Sequence, residues 1–173
     1  MKRAAGSDVL AGLQHRLSGA SRIAVVGIGE ELSMTDCLGI AAARTVDAQK
    51  IMGVKVFFAG TVPESITAPI RTYSPDHILL LDAADMNAQP GTMAVISPGE
   101  ISAGLFSTHA LPLTVVMDYL REDTGAAVTL LGIQPNPEWE GRPLASGEQA
   151  VLSRSVAGLV DVLKKAFKEP AVR

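Results

Sequence analysis

Short apolar runs recur along this chain, each followed by a turn or by a longer stretch of helical pattern. The runs are RIAVVGI at 22–28, VKVFFA at 54–59, HILLLD at 77–82, TMAVI at 92–96 and AVTLLGI at 127–133. A run that is apolar without alternation, bounded by turn residues, reads as a strand buried on both faces. The stretches between them read as helices. Residues 8–17 follow Ser7 as a cap, 36–52 are rich in Ala, 63–72 open on Pro63, and 112–121 open on Pro112 and stop at Gly125. A last helix starts at Ser146, where Ser146 and Gln149 match a capping box. Its residues Leu152, Val156, Leu159, Val160, Leu163 and Phe167 form one stripe. Lys164, Lys165 and Lys168 complement its dipole.

Strands alternating with helices predict an α/β fold: a three-layer α/β/α sandwich around a five-stranded, mostly parallel, twisted sheet. The first three strands should run parallel, because helices connect them. The link from the third to the fourth is short, so those two could be antiparallel. Pro135, Pro137 and Pro143 mark 134–146 as a surface loop. The 173 residues fit a single domain.

Composition narrows the function. Only 4% of residues are aromatic, so the core must be built from Ala, Val, Ile and Leu. Fifteen Lys and Arg against 18 Asp and Glu leave a net charge of −3, which offers no general attraction to nucleic acid or anionic membrane. The one cysteine, Cys37, excludes an internal disulfide and a Cys-rich zinc site, and suits a reducing cytoplasm. No apolar run approaches the ~20 residues that span a bilayer. Asp8 interrupts the only basic start, so no signal peptide is expected.

In open α/β sheets the ligand site lies beyond the carboxyl ends of the strands. The loops after residues 28, 59, 82, 96 and 133 are therefore the places to search. The first reads GIGEELSMTD. Gly27 and Gly29 invite a dinucleotide reading, but Leu32 stands where the third glycine belongs. Glu30 and Glu31 would repel a pyrophosphate, and Phe58 and Ala59 replace the acid that would hold a ribose. A tight strand-to-helix turn explains both glycines.

Three polar groups fall in these loops: Asp36, Asp82 and His109. Two carboxylates and an imidazole make an O,O,N set for a divalent transition metal, although ligand type alone does not choose the metal. Each has a plainer reading. Asp36 could cap a helix, in competition with Ser33 and Thr35. His109 could be a surface histidine. Asp82 directly follows Leu79, Leu80 and Leu81, so it must be paired, solvated at a cleft or shifted in pKa. His15 falls on a surface helix and His77 at the wrong end of its strand. Cys37 sits near a helix N-terminus, where a thiolate could be favoured, yet beside Leu38 and Gly39 it reads better as a packing residue.

Taken together, VVGIGEELSMTDCLGI, AGTVPES, HILLLDAADMNAQPG, STHALPL and LLGIQP resemble the hydrogenase maturation endopeptidases. The likeness is to the branch serving hydrogenase 3-type enzymes and covers roughly residues 22–165, which leaves 1–21 as an N-terminal extension with a short helix. The resemblance implies a five-stranded twisted sheet between helices. It also implies an aspartate-containing, nickel-dependent endopeptidase. Such an enzyme removes the C-terminal extension of the nickel–iron hydrogenase large-subunit precursor after nickel insertion. The nickel would arrive with the substrate, with no organic cofactor, and Asp36, Asp82 and His109 would recognise it. Asp36 and Asp82 would also be the catalytic acids, in a cytoplasmic monomer. Three positions depart from the family pattern: Glu30 for Asn, Cys37 for Gly, and Phe58 for an acid at the end of the second strand. The last suggests a rival, a nickel-site chaperone that docks on the hydrogenase without cutting it.

Overall fold

The apolar runs become β1 (Ile23–Ile28), β2 (Val54–Gly60), β3 (His77–Ala83), β4 (Met93–Ile96) and β5 (Ala127–Ile133). The helices are α1 (Gly6–Leu17), α2 (Leu38–Ala48), α3 (Thr67–Tyr73), α4 (Leu113–Thr124) and α5 (Ser146–Ala166). A 3-10 turn, Pro63–Ile66, precedes α3. The structure, a computed structural model, describes residues 6–33, 35–97, 113–136, 138 and 146–167. No helix among them is long and apolar enough to cross a membrane.

The strands form one sheet in the order β2-β1-β3-β5-β4. β1 lies parallel between β2 and β3, and β3 lies parallel to β5. β4 is antiparallel to β5, from Met93↔Ile133 to Ile96↔Leu130. β4 thus runs antiparallel to β3, as its short link allowed, but its neighbour in the sheet is β5. The short link carries the chain past the place that β5 later fills.

Alternate residues of each strand supply two separate cores. Val26, Ile28, Phe57, Ile78, Leu80 and Leu130 pack with Ile70 of α3 and with Val116 and Leu120 of α4. On the other face Ile23, Val25, Leu79, Leu81 and Leu131 meet Leu13 and Leu17 of α1, Val46 of α2, and Val156 and Leu159 of α5. Strands covered on both faces cannot alternate apolar with polar, which is why the runs are continuous.

Some boundaries differ from those expected. α2 ends at Ala48 rather than residue 52, because Lys50 adopts φ 46° and no helix continues through a left-handed residue. It also starts at Leu38, so Asp36 lies in the turn before it. The stretch 63–72 divides into the 3-10 turn and α3. Ser146 is the first residue of α5, not a cap before it. Lys168 and most of the 134–146 loop lie outside the described residues.

Candidate active site

From β1 the chain moves outward to β2, then returns across β1 to form β3 on its other side. The loops leaving β1 and β3 therefore part from each other at one edge of the sheet, a topological switch point. α2 begins directly over it. A Cβ on Gly39 would collide with the carbonyl oxygens of Ile28 and Leu81, at the ends of β1 and β3. Only glycine lets the helix start this close to both strands.

The β1 loop folds back on itself. Gly29 has φ 135°, and a Cβ there would strike the Asp36 carbonyl oxygen. Asp36 Oδ2 accepts a hydrogen bond from the Glu30 amide at 2.9 Å. The Asp36 amide donates to Ser33 Oγ at 3.2 Å, and the Cys37 amide to the Ser33 carbonyl at 2.9 Å. Asp36 thus closes a loop and does not cap α2, whose N-cap is Cys37. Glu31 is drawn aside by Arg44 at 2.6 Å.

Asp82 is 1% exposed. Burial lifts its carboxyl well above the usual carboxylate range, the nearby charge of Asp36 lifts it further, and a hydrogen bond from the Ala83 amide offsets part of this. Asp36, in the loop after β1, is thus near enough for its charge to bear on Asp82 at the end of β3. Across from Asp82 on β5 stands Gly132, which has no side chain of its own.

His109 lies outside the described residues. Among the described residues, no group of three His, Cys, Asp or Glu could hold a metal ion. β4 is antiparallel, so the loop after residue 96 leaves from the opposite edge of the sheet. α4 leads into β5, which is parallel to β3, so its first residue, Leu113, lies toward the site edge.

The remaining candidates separate cleanly. Phe57 faces the α3–α4 core, while Phe58 points to the other face, 45% exposed, with the Arg44 guanidinium 6.0 Å from its ring centre. Asp82 follows the parity of Ile78 and Leu80, on the α3–α4 face. Position 58 therefore does not adjoin Asp82. Burial and the charge of Asp36 push the Cys37 thiol up, against a thiolate, although a backbone hydrogen bond opposes them. His15 is exposed on α1. His77 is buried at the far end of β3, with Nε2 2.9 Å from Thr129 Oγ1.

Gln134 escaped the sequence reading. It is buried just beyond β5, and its Oε1 accepts from the Met86 amide at 2.6 Å and the Ala88 amide at 3.2 Å. Its Nε2 donates to Asp85 Oδ1 at 3.2 Å and to the Pro135 carbonyl at 2.9 Å. This one amide anchors the loop that follows Asp82. A polar residue directly after an apolar run, the signal that singled out Asp82, was present here too.

The chain and its fold have relatives among known proteins. A family model described as hydrogenase maturation protease (HycI) matches residues 40–161. The hydrogenase 3 maturation protease of Escherichia coli K12 is 38% identical over 110 residues, covering 63% of this chain and 70% of that protein. A relative from Methanocaldococcus jannaschii, named for the same family, is 33% identical over 131 residues, 71% of this chain and 78% of its own. Among solved structures, the [NiFe] hydrogenase maturation protease HycI of Thermococcus kodakarensis KOD1 superposes with a TM-score of 0.77. It is 27% identical and covers 88% of this chain and 99% of its own. With its sheet, its switch point and these relatives in agreement, the chain belongs to the hydrogenase maturation protease family, in the branch of the hydrogenase 3 enzymes.

Proposed function

We propose that the protein is an endopeptidase that removes the C-terminal extension of a nickel–iron hydrogenase large-subunit precursor once nickel is in place. The observation that carries this reading is Asp82, a buried carboxyl at the switch point with the charge of Asp36 beside it. A buried carboxyl with a second carboxylate beside it does not readily ionise. A divalent cation reverses that preference, because it stabilises the ionised form of both. The nickel arrives as part of the substrate, and Asp36, Asp82 and His109 complete its coordination. A nickel-free precursor would bring no cation to offset the repulsion, which makes the site a checkpoint for nickel insertion.

Docking through the nickel fixes the scissile bond in the crevice. A carboxylate oxygen of Asp36 or Asp82 that is not engaged on nickel accepts the proton of the attacking water. The same proton is then available to the leaving amine. The protein acts as a cytoplasmic monomer and holds no cofactor of its own. Phe58 stands on the α2 side of the sheet beside Arg44, where it replaces the family's acid, and precursor binding without any loss of mass would decide for the non-cleaving rival.

The test is to incubate the protein with its matched precursor, with and without nickel, and follow the large subunit by mass spectrometry. Only the nickel-loaded form should shorten. Asp82→Asn or His109→Ala should slow cleavage by at least ~10²-fold. Equal cleavage of both precursor forms would reject the checkpoint, and full activity in both variants would reject the site.

A further inference from the structure

A second feature opens on the same edge. Val115 and Tyr119 stand 53% and 46% exposed, although they are apolar and line one groove. Val115 and Tyr119 lie one turn apart on the outer side of α4, where a helix facing water alone would show polar residues. Between α4 and the Pro63–Ile66 turn with α3 runs a groove of about 220 Å³, lined by Glu64, Thr67, Val115, Val116 and Tyr119. The Pro63–Ile66 turn follows the carboxyl end of β2, so the groove begins at the sheet edge that holds Asp36 and Asp82. Its walls are apolar, and its charge is negative. Glu64 makes no ion pair among the described residues, and Glu122 is exposed along the same helix.

We propose that this groove receives an apolar side chain of the precursor's C-terminal extension, with a Lys or Arg of the same segment facing Glu64. The proposal rests on the endopeptidase reading and gives that reading a substrate-positioning surface. Size argues for a side chain. The volume falls below the roughly 300–1,000 Å³ of pockets for whole small molecules. Charge argues for a basic neighbour, because Glu64 lines the groove without an ion pair, while Arg71, which joins α3 to α4, is already paired with Asp123. Place argues for the extension, since a segment threaded across the crevice must leave over one of its rims. Binding energy taken up in such a remote groove can be used to hold the reacting bond in place.

A nickel-loaded precursor whose scissile peptide bond is replaced by a non-hydrolysable linkage allows binding to be measured without cleavage. Its Kd is determined by calorimetry against the wild-type protein, Val115→Glu, Tyr119→Ala and Glu64→Gln, and compared with that of the same subunit lacking its extension. All three side chains are exposed, and a circular dichroism melt checks that each variant is folded. Val115→Glu and Tyr119→Ala should each raise the precursor's Kd about tenfold, as expected for losing one buried apolar side chain. Glu64→Gln should weaken binding and flatten its salt dependence. The subunit without its extension should bind all four proteins alike.

Unchanged precursor binding in Val115→Glu, an equal loss for the truncated subunit, or no binding of precursor to wild type would each overturn the proposal. So would a dimer of wild type that Val115→Glu converts to monomer, which would make a second copy the occupant. The two readings fail separately. A precursor held through the groove but never cut, even with nickel, sinks the endopeptidase. Normal cleavage with unaltered binding in the groove variants sinks the groove.

Discussion

His77 and Asp82 stand near opposite ends of β3, and burial drives both toward their neutral forms. For His77 this means a pKa lowered to about 4, by desolvation first and by the charge of Arg16 second. Between pH 6.5 and about 4 the unfolded chain takes up a proton that the native state refuses. Stability therefore falls with falling pH across that window, by up to about 1.4 kcal/mol per pH unit, and is indifferent to this group above it. His77→Gln, which can still reach Thr129, should flatten that slope. Urea midpoints measured from pH 4 to 8 decide it, and identical slopes would exclude His77 as the cause. At this scale the sequence was informative where a residue's position along its own strand mattered. Three leucines before Asp82 announced a buried acid, and the start of a strand kept His77 away from the site. That Asp36 and Asp82 could share one sheet edge was legible from the strand ends, but the hydrogen bond from the Glu30 amide that holds Asp36 was not.

Element packing turns on close approach, and two glycines show it from opposite sides. Gly39 lies where α2 meets the ends of β1 and β3, with no room for a Cβ beside two carbonyl oxygens. Gly12, in the middle of α1, would place a Cβ in open space. Gly39→Ala should therefore cost about 1–3 kcal/mol or more through forced displacement of the helix. Gly12→Ala should instead add about 0.5–1 kcal/mol by restricting the unfolded chain. Thermal melts of the two variants should move in opposite directions, and a shift of the same sign would refute the packing account. The strands were readable because burial on both faces leaves an unmistakable run, and β5 falls on residues 127–133 as the pattern indicated. Helix ends were less so. The end of α2 depends on Lys50 turning left-handed, for which neither Gly nor Asn gave notice. The place of β4 was hidden for a different reason. Its pairing with β5 is made with residues more than thirty positions later.

On the scale of the molecule, the N-terminal segment is more than an addition. Leu13 and Leu17 of α1 are fully buried against α5 and the sheet, in the core that also holds Val156 and Leu159. Asp76 Oδ2 accepts from the amides of Ser21 and Arg22 at 2.7 Å each, which fixes the chain where it leaves this helix for β1. The family match begins only at residue 40, yet the fold closes one face with residues before it. Leu13→Ala should cost about 2–5 kcal/mol by leaving a cavity. A denaturant midpoint unmoved by Leu13→Ala would show that α1 is dispensable to this core.

The strand order leaves β2 and β4 outermost in the described sheet, and each meets that position differently. β4 has four residues, a short template for a foreign strand. β2 has seven, but it carries the exposed Lys55, whose ammonium lies 5.4 and 5.5 Å from the ring centres of Phe57 and Tyr73. A second molecule adding its own strand there would have to desolvate that charge. The chain is thereby guarded against edge-to-edge aggregation, a hazard for any protein whose sheet stops instead of closing into a barrel.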